Sequence, residues 1–212
     1  ANLKIVCHVD DPRSGYAISG AGTLDLMTVS AADVTIEGVK FAHTGATANQ
    51  AGILTTNAAD RMRVKNCLFD DTAITTTFTG IGVEITGATD DVQVEGCLFL
   101  DAKFGVLFVM ATGVTCTRPS CRDNSYFLGK AGAFGISTAL TGTGAVKGVR
   151  VEGERFMEAN GDGSVATTVW DGTDGTNATQ GPIKFEGAVD QYFITDCTAY
   201  TALADRFDNI NA

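Results

Sequence analysis

Several features that would point to particular functions are scarce in this sequence. Its 212 residues include only three prolines, one tryptophan and two histidines. A transmembrane helix needs about 18 or more consecutive apolar residues, and no such run is present, so we expect no membrane span. The 15 lysines and arginines against 25 aspartates and glutamates give a net charge of −10. Such an acidic surface repels phosphate backbones and anionic lipids, so we expect neither nucleic acid nor membrane as a partner.

Metal and cofactor motifs are also missing. The cysteine spacings match neither zinc nor c-type haem motifs, so we expect no metal and no cofactor. The first residues lack the charged start and apolar stretch of a signal peptide, which favours synthesis in a reducing cytoplasm. There the thiols are expected to stay free and buried. The six cysteines are Cys7, Cys67, Cys97, Cys116, Cys121 and Cys197.

The sequence does contain a repeated motif of about ten residues. Its clearest copies span residues 32–41, 60–69, 90–99 and 147–156, and a weaker copy ends at Phe127. The terminal phenylalanines are 28, 30, 28 and 29 residues apart, and a degenerate copy lies at 192–197. Those phenylalanines are Phe41, Phe69, Phe99, Phe127 and Phe156.

Each copy predicts a strand, a bend and a second inward turn of the chain. Apolar residues such as Val92 and Val94 alternate with polar ones, which is typical of a half-buried strand. Glycine or asparagine follows and tolerates the left-handed backbone of a sharp bend. These predicted bend residues are Gly38, Asn66, Gly96, Asn124 and Gly153. A second strand per repeat begins at Gly52, Gly82, Gly105 and Gly135.

A strand–bend–strand–turn unit without a helix pattern stacks into a solenoid. We therefore predict an all-β fold, a right-handed parallel β-helix with coils of 28–30 residues, forming one domain over residues 1–212. Phenylalanines one coil apart should then stack inside it. A leucine-rich repeat would need a leucine-dominated motif, and an antiparallel sandwich would not need a fixed period. The longer spacing after Phe156 predicts a protruding loop at about residues 157–189, which contains Trp170.

The motif copies at 32–41, 59–69 and 91–99 resemble the coils of pectin-lyase-like parallel β-helix proteins. Within that class they are most similar to small β-helix proteins encoded among the structural genes of tailed phages. The resemblance covers residues 24–156 well and the rest weakly. It implies the fold, but the class includes lyases, hydrolases, epimerases, tailspikes and inert particle proteins, and a fold does not by itself give a function.

The candidate catalytic groups are paired acids and two histidines. Glycoside hydrolases of this fold need two opposed carboxylates. The acidic pairs Asp10/Asp11, Asp70/Asp71 and Asp90/Asp91 fall at expected coil turns, where solvated aspartates are common. A calcium site is the alternative. His8 and His43 have no visible partner for general-base catalysis. We therefore predict no catalytic residues and no enzymatic activity.

The cysteines and two aromatic residues are the remaining candidates. Cys67 and Cys97 share one repeat position, which favours a buried stack over a metal site or disulfide. Cys116 and Cys121 could pair if the chain between them folds back. Trp170, in the insertion, can bind a partner or a sugar or pack the loop. Phe78 follows the Thr-rich stretch 73–77 and is the second candidate for partner binding, with burial in its own coil as the alternative.

The resulting functional hypothesis is a structural bacteriophage virion protein. It would be a capsid decoration or cement protein on the particle exterior, bound to the major capsid protein or another virion protein. The flat side of a solenoid favours closed self-association, and the phage resemblance implies a homotrimer. The alternative is a carbohydrate-active β-helix protein, such as a polysaccharide lyase, a hydrolase or a tailspike fragment. A glycan-binding module built on Trp170 is a third hypothesis.

Overall fold

The chain folds as a parallel β-helix, as the repeat predicts. The computed structural model describes residues 2–7, 17–21, 24–45, 50–73, 80–130, 132–159, 161 and 181–200. The first two coils contain β1 (Leu3–Val6), β2 (Ala17–Gly20), β3 (Met27–Val29), β4 (Val34–Glu37), β5 (Lys40–His43) and β6 (Ala51–Thr55). Coils 3 and 4 contain β7 (Arg63–Lys65), β8 (Leu68–Asp70), β9 (Ile81–Thr86), β10 (Gln93–Glu95), β11 (Leu98–Leu100), β12 (Phe104–Met110) and β13 (Thr115–Thr117). Coils 5 to 7 contain β14 (Ser120–Arg122), β15 (Ser125–Phe127), β16 (Phe134–Leu140), β17 (Ala145–Lys147), β18 (Arg150–Glu152), β19 (Arg155–Met157), β20 (Gly181–Lys184), β21 (Ala188–Asp190), β22 (Phe193–Thr195) and β23 (Thr198–Tyr200).

Successive coils pair in parallel to form three long sheets. Sheet A has the order β1-β4-β7-β10-β14-β18-β22, and sheet B has the order β2-β5-β8-β11-β15-β19-β23. Sheet C has the order β20-β16-β12-β9-β6-β3, and β13, β17 and β21 form the short sheet D. None of the described residues forms a helix long and apolar enough to cross a membrane.

An aromatic ladder fills the interior behind sheet B. Neighbouring rings are stacked, with centroids 4.8–5.2 Å apart and planes within 13°. The members, in order, are Phe41, Phe69, Phe99, Tyr126 and Phe156. The fourth member differs from the prediction, because Phe127 pairs with Leu100 on the outer face and Tyr126 takes the interior position. Ala199 continues the register beside Phe156, as the spacing predicted.

The glycines that begin the strands of sheet C make room for this ladder. A Cβ atom added at Gly52 would lie 2.8 Å from Cδ1 of Phe69, well inside van der Waals contact. Gly82, Gly105 and Gly135 face Phe99, Tyr126 and Phe156 in the same way. Each glycine therefore leaves the space that the aromatic ring facing it occupies.

The bend between sheets A and B uses left-handed backbone, as predicted, but one of its residues differs. Gly38, Asn66, Gly96 and Gly153 have positive φ values between 51° and 70°. In coil 5 the left-handed residue is Asp123, with φ of 54°, and the prediction of Asn124 was wrong. Asn124 follows the bend and is fully buried, in the position that Cys97 occupies one coil earlier.

The outer face of sheet A carries charges of alternating sign, one per coil. Nζ of Lys65 lies 2.9 Å from Oε2 of Glu95, and Nη2 of Arg122 lies 3.4 Å from Oε2 of Glu152. Nζ of Lys4 lies 3.0 Å from Oε2 of Glu37. The register places these residues in one row, which we name the charge row: Glu37, Lys65, Glu95, Arg122 and Glu152. Facing residues of opposite charge stabilise this pairing of strands.

Two irregular stretches of the sequence are more regular in the structure. Strands β13 and β14 occupy 115–122, where the alternation is poor. Strands β20 and β21 fall within the range 157–189 of the predicted loop, and β20 pairs with β16. Of that loop range, residues 160 and 162–180, including Trp170, lie outside the described residues.

Candidate functional site

Titratable side chains stack at the corner where sheet B leads into sheet C. Each of them directly follows one residue of the outward-facing column of sheet B, which runs from Ala42 to Met157. Backbone hydrogen bonds continue the register of that column, because Asp71 N donates to Leu100 O and Asp101 N donates to Phe127 O. We name this set the corner column: His43, Asp71, Asp101, Leu128 and Glu158. All five are buried. Four of five stacked positions are therefore ionisable, which is unusual for buried residues.

His43 and Asp71 form a buried pair. Nδ1 of His43 lies 2.6 Å from Oδ1 of Asp71, with the two side chains only 3% and 2% exposed. Burial acts to lower the pKa of His43, but the hydrogen bond to Asp71 and its charge outweigh burial and raise that pKa above its ordinary value. A Cβ atom at Gly80 would lie 2.5 Å from Oδ2 of Asp71, so only glycine fits beside the pair. The predictions that Asp71 is a solvated turn residue and that His43 lacks a partner were wrong.

Asp70 faces the opposite way from Asp71 because successive strand residues alternate. Its Oδ2 lies 2.8 Å from Nζ of Lys40, and its Oδ1 accepts hydrogen bonds from the backbone N and Oγ1 of Thr72. Burial acts to raise the pKa of Asp70, but these partners outweigh it and lower the pKa. Asp70 is therefore an ionised carboxylate at the rim of the corner, and the expectation of a simple solvated turn was wrong here too.

Lys130 is the lysine that reaches this corner from coil 5. Its Nζ donates a hydrogen bond of 2.7 Å to the carbonyl oxygen of Asp71, two coils away. Burial lowers the pKa of Lys130, while the charges of Asp101, Asp71 and Asp70 act in the opposite direction. One ammonium group is thus within electrostatic reach of carboxylates from two consecutive coils.

Asp101 adds a second coil to the site. It has left-handed backbone, with φ of 56°, and its Oδ1 accepts a 2.9 Å hydrogen bond from the backbone N of Gly161. Adjacent strands lie about 4.8 Å apart, so Asp101 stacks on Asp71, and the charges of both act on Lys130. Glycoside hydrolysis by two carboxyl groups uses separations of about 5–9.5 Å. The corner therefore has the kind of groups that such chemistry requires.

The third acidic pair behaves as predicted. Asp91 has a left-handed backbone, and the side chains of Asp90 and Asp91 are each 39% exposed. Nε of Arg118 lies 2.9 Å from Oδ1 of Asp91, which lowers the pKa of that carboxyl. These residues form an exposed ion pair at a turn rather than a second candidate site.

The cysteines are all free thiols. Cys67 and Cys97 are buried at one interior position, as predicted, and Cys116 and Cys121 do not form a disulfide. Burial raises the pKa of Cys116 to about 11, so it is not a reactive thiolate. Within the described ranges, no three His, Cys, Asp or Glu side chains are grouped so that they could hold a metal ion.

Several candidates from the sequence cannot be placed at the corner. Phe78 and Trp170, the two predicted partner-binding residues, lie outside the described residues, as do His8, Asp10 and Asp11. A shallow groove at the other edge of sheet C, lined by Thr56, Asn57, Thr86 and Thr141 among others, contains no ionisable side chain. The corner column remains the candidate for acid–base chemistry.

The position of the corner column is also visible in the sequence, as a fixed offset from the aromatic residues of the repeat. His43, Asp71, Asp101 and Glu158 each stand two residues after an aromatic residue of the interior ladder. The same offset in four coils could have been read from the repeat, and it identifies the column without any structure.

Comparison with known proteins supports the fold. The structure is similar to the crystal structure of a putative glycosyl hydrolase from Parabacteroides merdae, with a TM-score of 0.53 and 12% sequence identity. The match covers 93% of this chain and 81% of that chain. No protein-family profile and no curated protein matches the sequence. At this identity the likeness shows a shared fold.

The prediction that the chain is not an enzyme is corrected by this comparison. It rested on the absence of a catalytic constellation and on a resemblance to particle proteins. A putative glycosyl hydrolase instead shares the fold over nearly the whole chain. Asp70 and Asp71, which the sequence pattern had assigned to solvated turns, are instead paired with Lys40 and His43.

Proposed function

We propose that this chain is a carbohydrate-active β-helix protein that cleaves glycosidic bonds at the corner between sheets B and C. The observation that carries the proposal is that Lys130 donates to the carbonyl oxygen of Asp71 and that the charges of Asp70, Asp71 and Asp101, from two consecutive coils, all act on its ammonium group. Clustered carboxylates beside a cation, at a defined place in a β-helix, are typical of catalytic sites rather than of solvated turns.

The environments of the three carboxylates assign them different roles in this proposal. Asp70 stays ionised because Lys40 and Thr72 stabilise its charge, so it acts as the base or nucleophile. Asp101, one coil away, supplies the second carboxyl group. Asp71 is held by His43 and positions the corner rather than reacting.

The test is release of reducing ends from a panel of neutral and acidic polysaccharides. We expect Asp70→Asn and Asp101→Asn to abolish cleavage while the folded content stays unchanged by circular dichroism. Asp91→Asn is the matched control, because Asp91 belongs to an exposed ion pair with Arg118 at a turn. Absence of cleavage across the panel, or equal loss in the Asp91 variant, would contradict the proposal.

A second candidate function is the predicted role as a bacteriophage virion protein on the capsid exterior. It is favoured by the exposed aromatic residues of coil 7, where Phe193 is 64% and Tyr200 58% exposed. Large exposed apolar side chains mark protein–protein contacts. A homotrimer seated on the major capsid protein would cover such residues, and carbohydrate cleavage is compatible with that location.

This second candidate is tested by the mass of the purified protein in solution and by its copy number in purified virions. A trimeric mass and a fixed number of copies per particle are expected. A monomer that is absent from virions would remove this candidate and leave the carbohydrate proposal untouched.

A further inference from the structure

A carboxyl group lies inside the β-helix and forms no ion pair with any residue that the structure describes. Glu154 is 0% exposed and occupies the interior position just after the bend of coil 6. Its Oε1 accepts a 2.9 Å hydrogen bond from Nδ2 of Asn124, one coil below. Its Oε2 makes no hydrogen bond to any described residue. A carboxylate in this place would be half satisfied, and such a group is strongly destabilising when charged.

The groups that face Glu154 are neutral or acidic. The hydroxyl of Tyr126 on β15 faces the carboxyl group, is fully buried and has no hydrogen-bond partner among the described residues. Cys97, Cys121 and Cys197, from coils 4, 5 and 7, interact electrostatically with Glu154, and Asp123 acts to raise its pKa.

Protonation of Glu154 removes the buried charge. Burial raises the pKa of Glu154 to about 8, although Asn124 and Tyr126 act to lower it. The protonated carboxyl group gains a hydrogen that Oε2 can donate to the Tyr126 hydroxyl oxygen. Both buried atoms without partners are then satisfied by one hydrogen bond between neutral groups. In the ionised form the Tyr126 hydroxyl can still donate to Oε2, but the carboxylate charge stays buried.

Coil 7 is the element that responds most easily. It covers Glu154 on the open side, where the backbone N of Thr198 donates to the Glu154 carbonyl oxygen at 2.8 Å. Among the described strands, β22 pairs only with β18 and β23 only with β19. Cys197, which continues the column of Glu154, is only partly buried. Water therefore reaches a charged Glu154 most directly by displacement of coil 7.

We propose that Glu154 is a proton-dependent latch that holds coil 7, residues 193–200, against coil 6. The protonated side chain closes the interior through Asn124 and Tyr126. The ionised side chain requires water, and coil 7 separates from β18 and β19 to admit it. The latch uses none of the carboxylates assigned to the proposed carbohydrate chemistry.

The direction of the pH effect follows from the raised pKa. A carboxyl group whose pKa is higher in the folded state than in the unfolded state contributes stability below the unfolded value of 4.5. That contribution is lost as the pH rises through the folded value of about 8. The docking of coil 7 is therefore strongest in mild acid and weakest in mild base.

Peptide-resolved hydrogen exchange on the full chain tests the latch, after correction for the intrinsic pH dependence of exchange. Between about pH 5 and pH 9, protection of residues 193–200 should fall at least roughly tenfold, since the shift spans several pH units. Glu154→Gln keeps the shape and cannot ionise, so its protection should be independent of pH. Glu152→Gln, on the exposed face of the same coil, is the matched control and should behave as the unmodified protein.

Two results would overturn the proposal. One is protection of residues 193–200 that does not change with pH in the unmodified protein. The other is the same pH dependence in Glu154→Gln as in the unmodified protein. If Glu154→Gln fails to fold, the test is the pH titration of the ¹³C shift of the Glu154 carboxyl group in the unmodified protein. A titration midpoint near 4.5 rejects the latch, and a midpoint near 8 supports it.

Discussion

The ring of Phe99 stacks on the ring of Phe69 with their centroids 4.8 Å apart and their planes within 5°. Both rings are buried, and each is also stacked on its other side. We expect Phe99→Ala to lower the free energy of unfolding by about 3–5 kcal/mol, because it opens a cavity in a continuous stack. Urea denaturation measures the change. Leu3→Ala is the control, because Leu3 is exposed and its loss should have little effect.

The glycines of sheet C should be sensitive to a single added methyl group. In Gly82→Ala the new Cβ would overlap the Phe99 ring and approach the carbonyl oxygen of Gly105. Overpacking of this kind costs about 1–3 kcal/mol, and the backbone oxygen gives it little room to relax. Gly181→Ala is the matched control, since no atom lies near its added Cβ. Equal melting temperatures for the two variants would contradict the packing argument.

The His43–Asp71 pair should be important for stability. Asp71→Asn leaves a buried imidazole without its acceptor charge, and breaking a buried pair in this way costs about 3–5 kcal/mol. Asp33→Asn removes a carboxylate from the exposed pair with Arg61 and should hardly change the unfolding curve. A small effect of Asp71→Asn on the free energy of unfolding would mean that His43 and Asp71 are not hydrogen-bonded in solution.

The same pair predicts a pH dependence. The pKa of His43 is raised in the folded state, so its contribution to stability is complete below the ordinary value of 6.5. That contribution is lost as the pH rises through the folded pKa. Titration of the His43 ring by NMR should give a midpoint above 6.5, and His43→Gln should remove this part of the pH dependence. Exchange changes in residues 40–43 would separate it from the effect of Glu154.

The bend of coil 5 can be assigned by two neighbouring substitutions. Asp123 has left-handed backbone, so Asp123→Gly should be tolerated, and Asp123→Val should cost about 1–2 kcal/mol. Asn124→Gly should be destabilising, because the Asn124 side chain bonds Cys97 N, Val94 O and Glu154 Oε1. Thermal unfolding distinguishes the two positions, and the reverse order of effects would return the bend to Asn124.

The sequence allowed the coil to be predicted because its period is carried by aromatic residues of one kind. It placed Phe69 and Phe99 correctly, but it placed Phe127 in the ladder one residue away from Tyr126. The two adjacent aromatic residues of coil 5 fit the motif equally well, and only the strand register separates them. The bend was predicted at Asn124 instead of Asp123 for a similar reason, because both residue types adopt left-handed backbone.

The candidate site was harder to predict because aspartate is common at solvated turns. Without a comparison of their offsets from the ladder aromatics, the pair Asp70-Asp71 does not show which side chain faces outward, and the side chain that bonds Asp71 lies 28 residues earlier in the sequence. Glu154 had no signal of burial either, because glutamate is usually exposed. Its position beside Cys97 and Asn124 in the repeat was visible, but the resulting chemistry depends on neighbours from several coils.

The charge row on sheet A constrains how this protein can gain or lose length. Its signs alternate from Glu37 to Glu152, so each residue faces opposite charges on its neighbouring coils. Duplication of a single coil would place two like charges in contact, for example two copies of Lys65, which destabilises a strand pair. Duplication of two coils together would restore the alternation. The charge row therefore favours the gain or loss of coils in pairs, because only an even number keeps the alternation of charge.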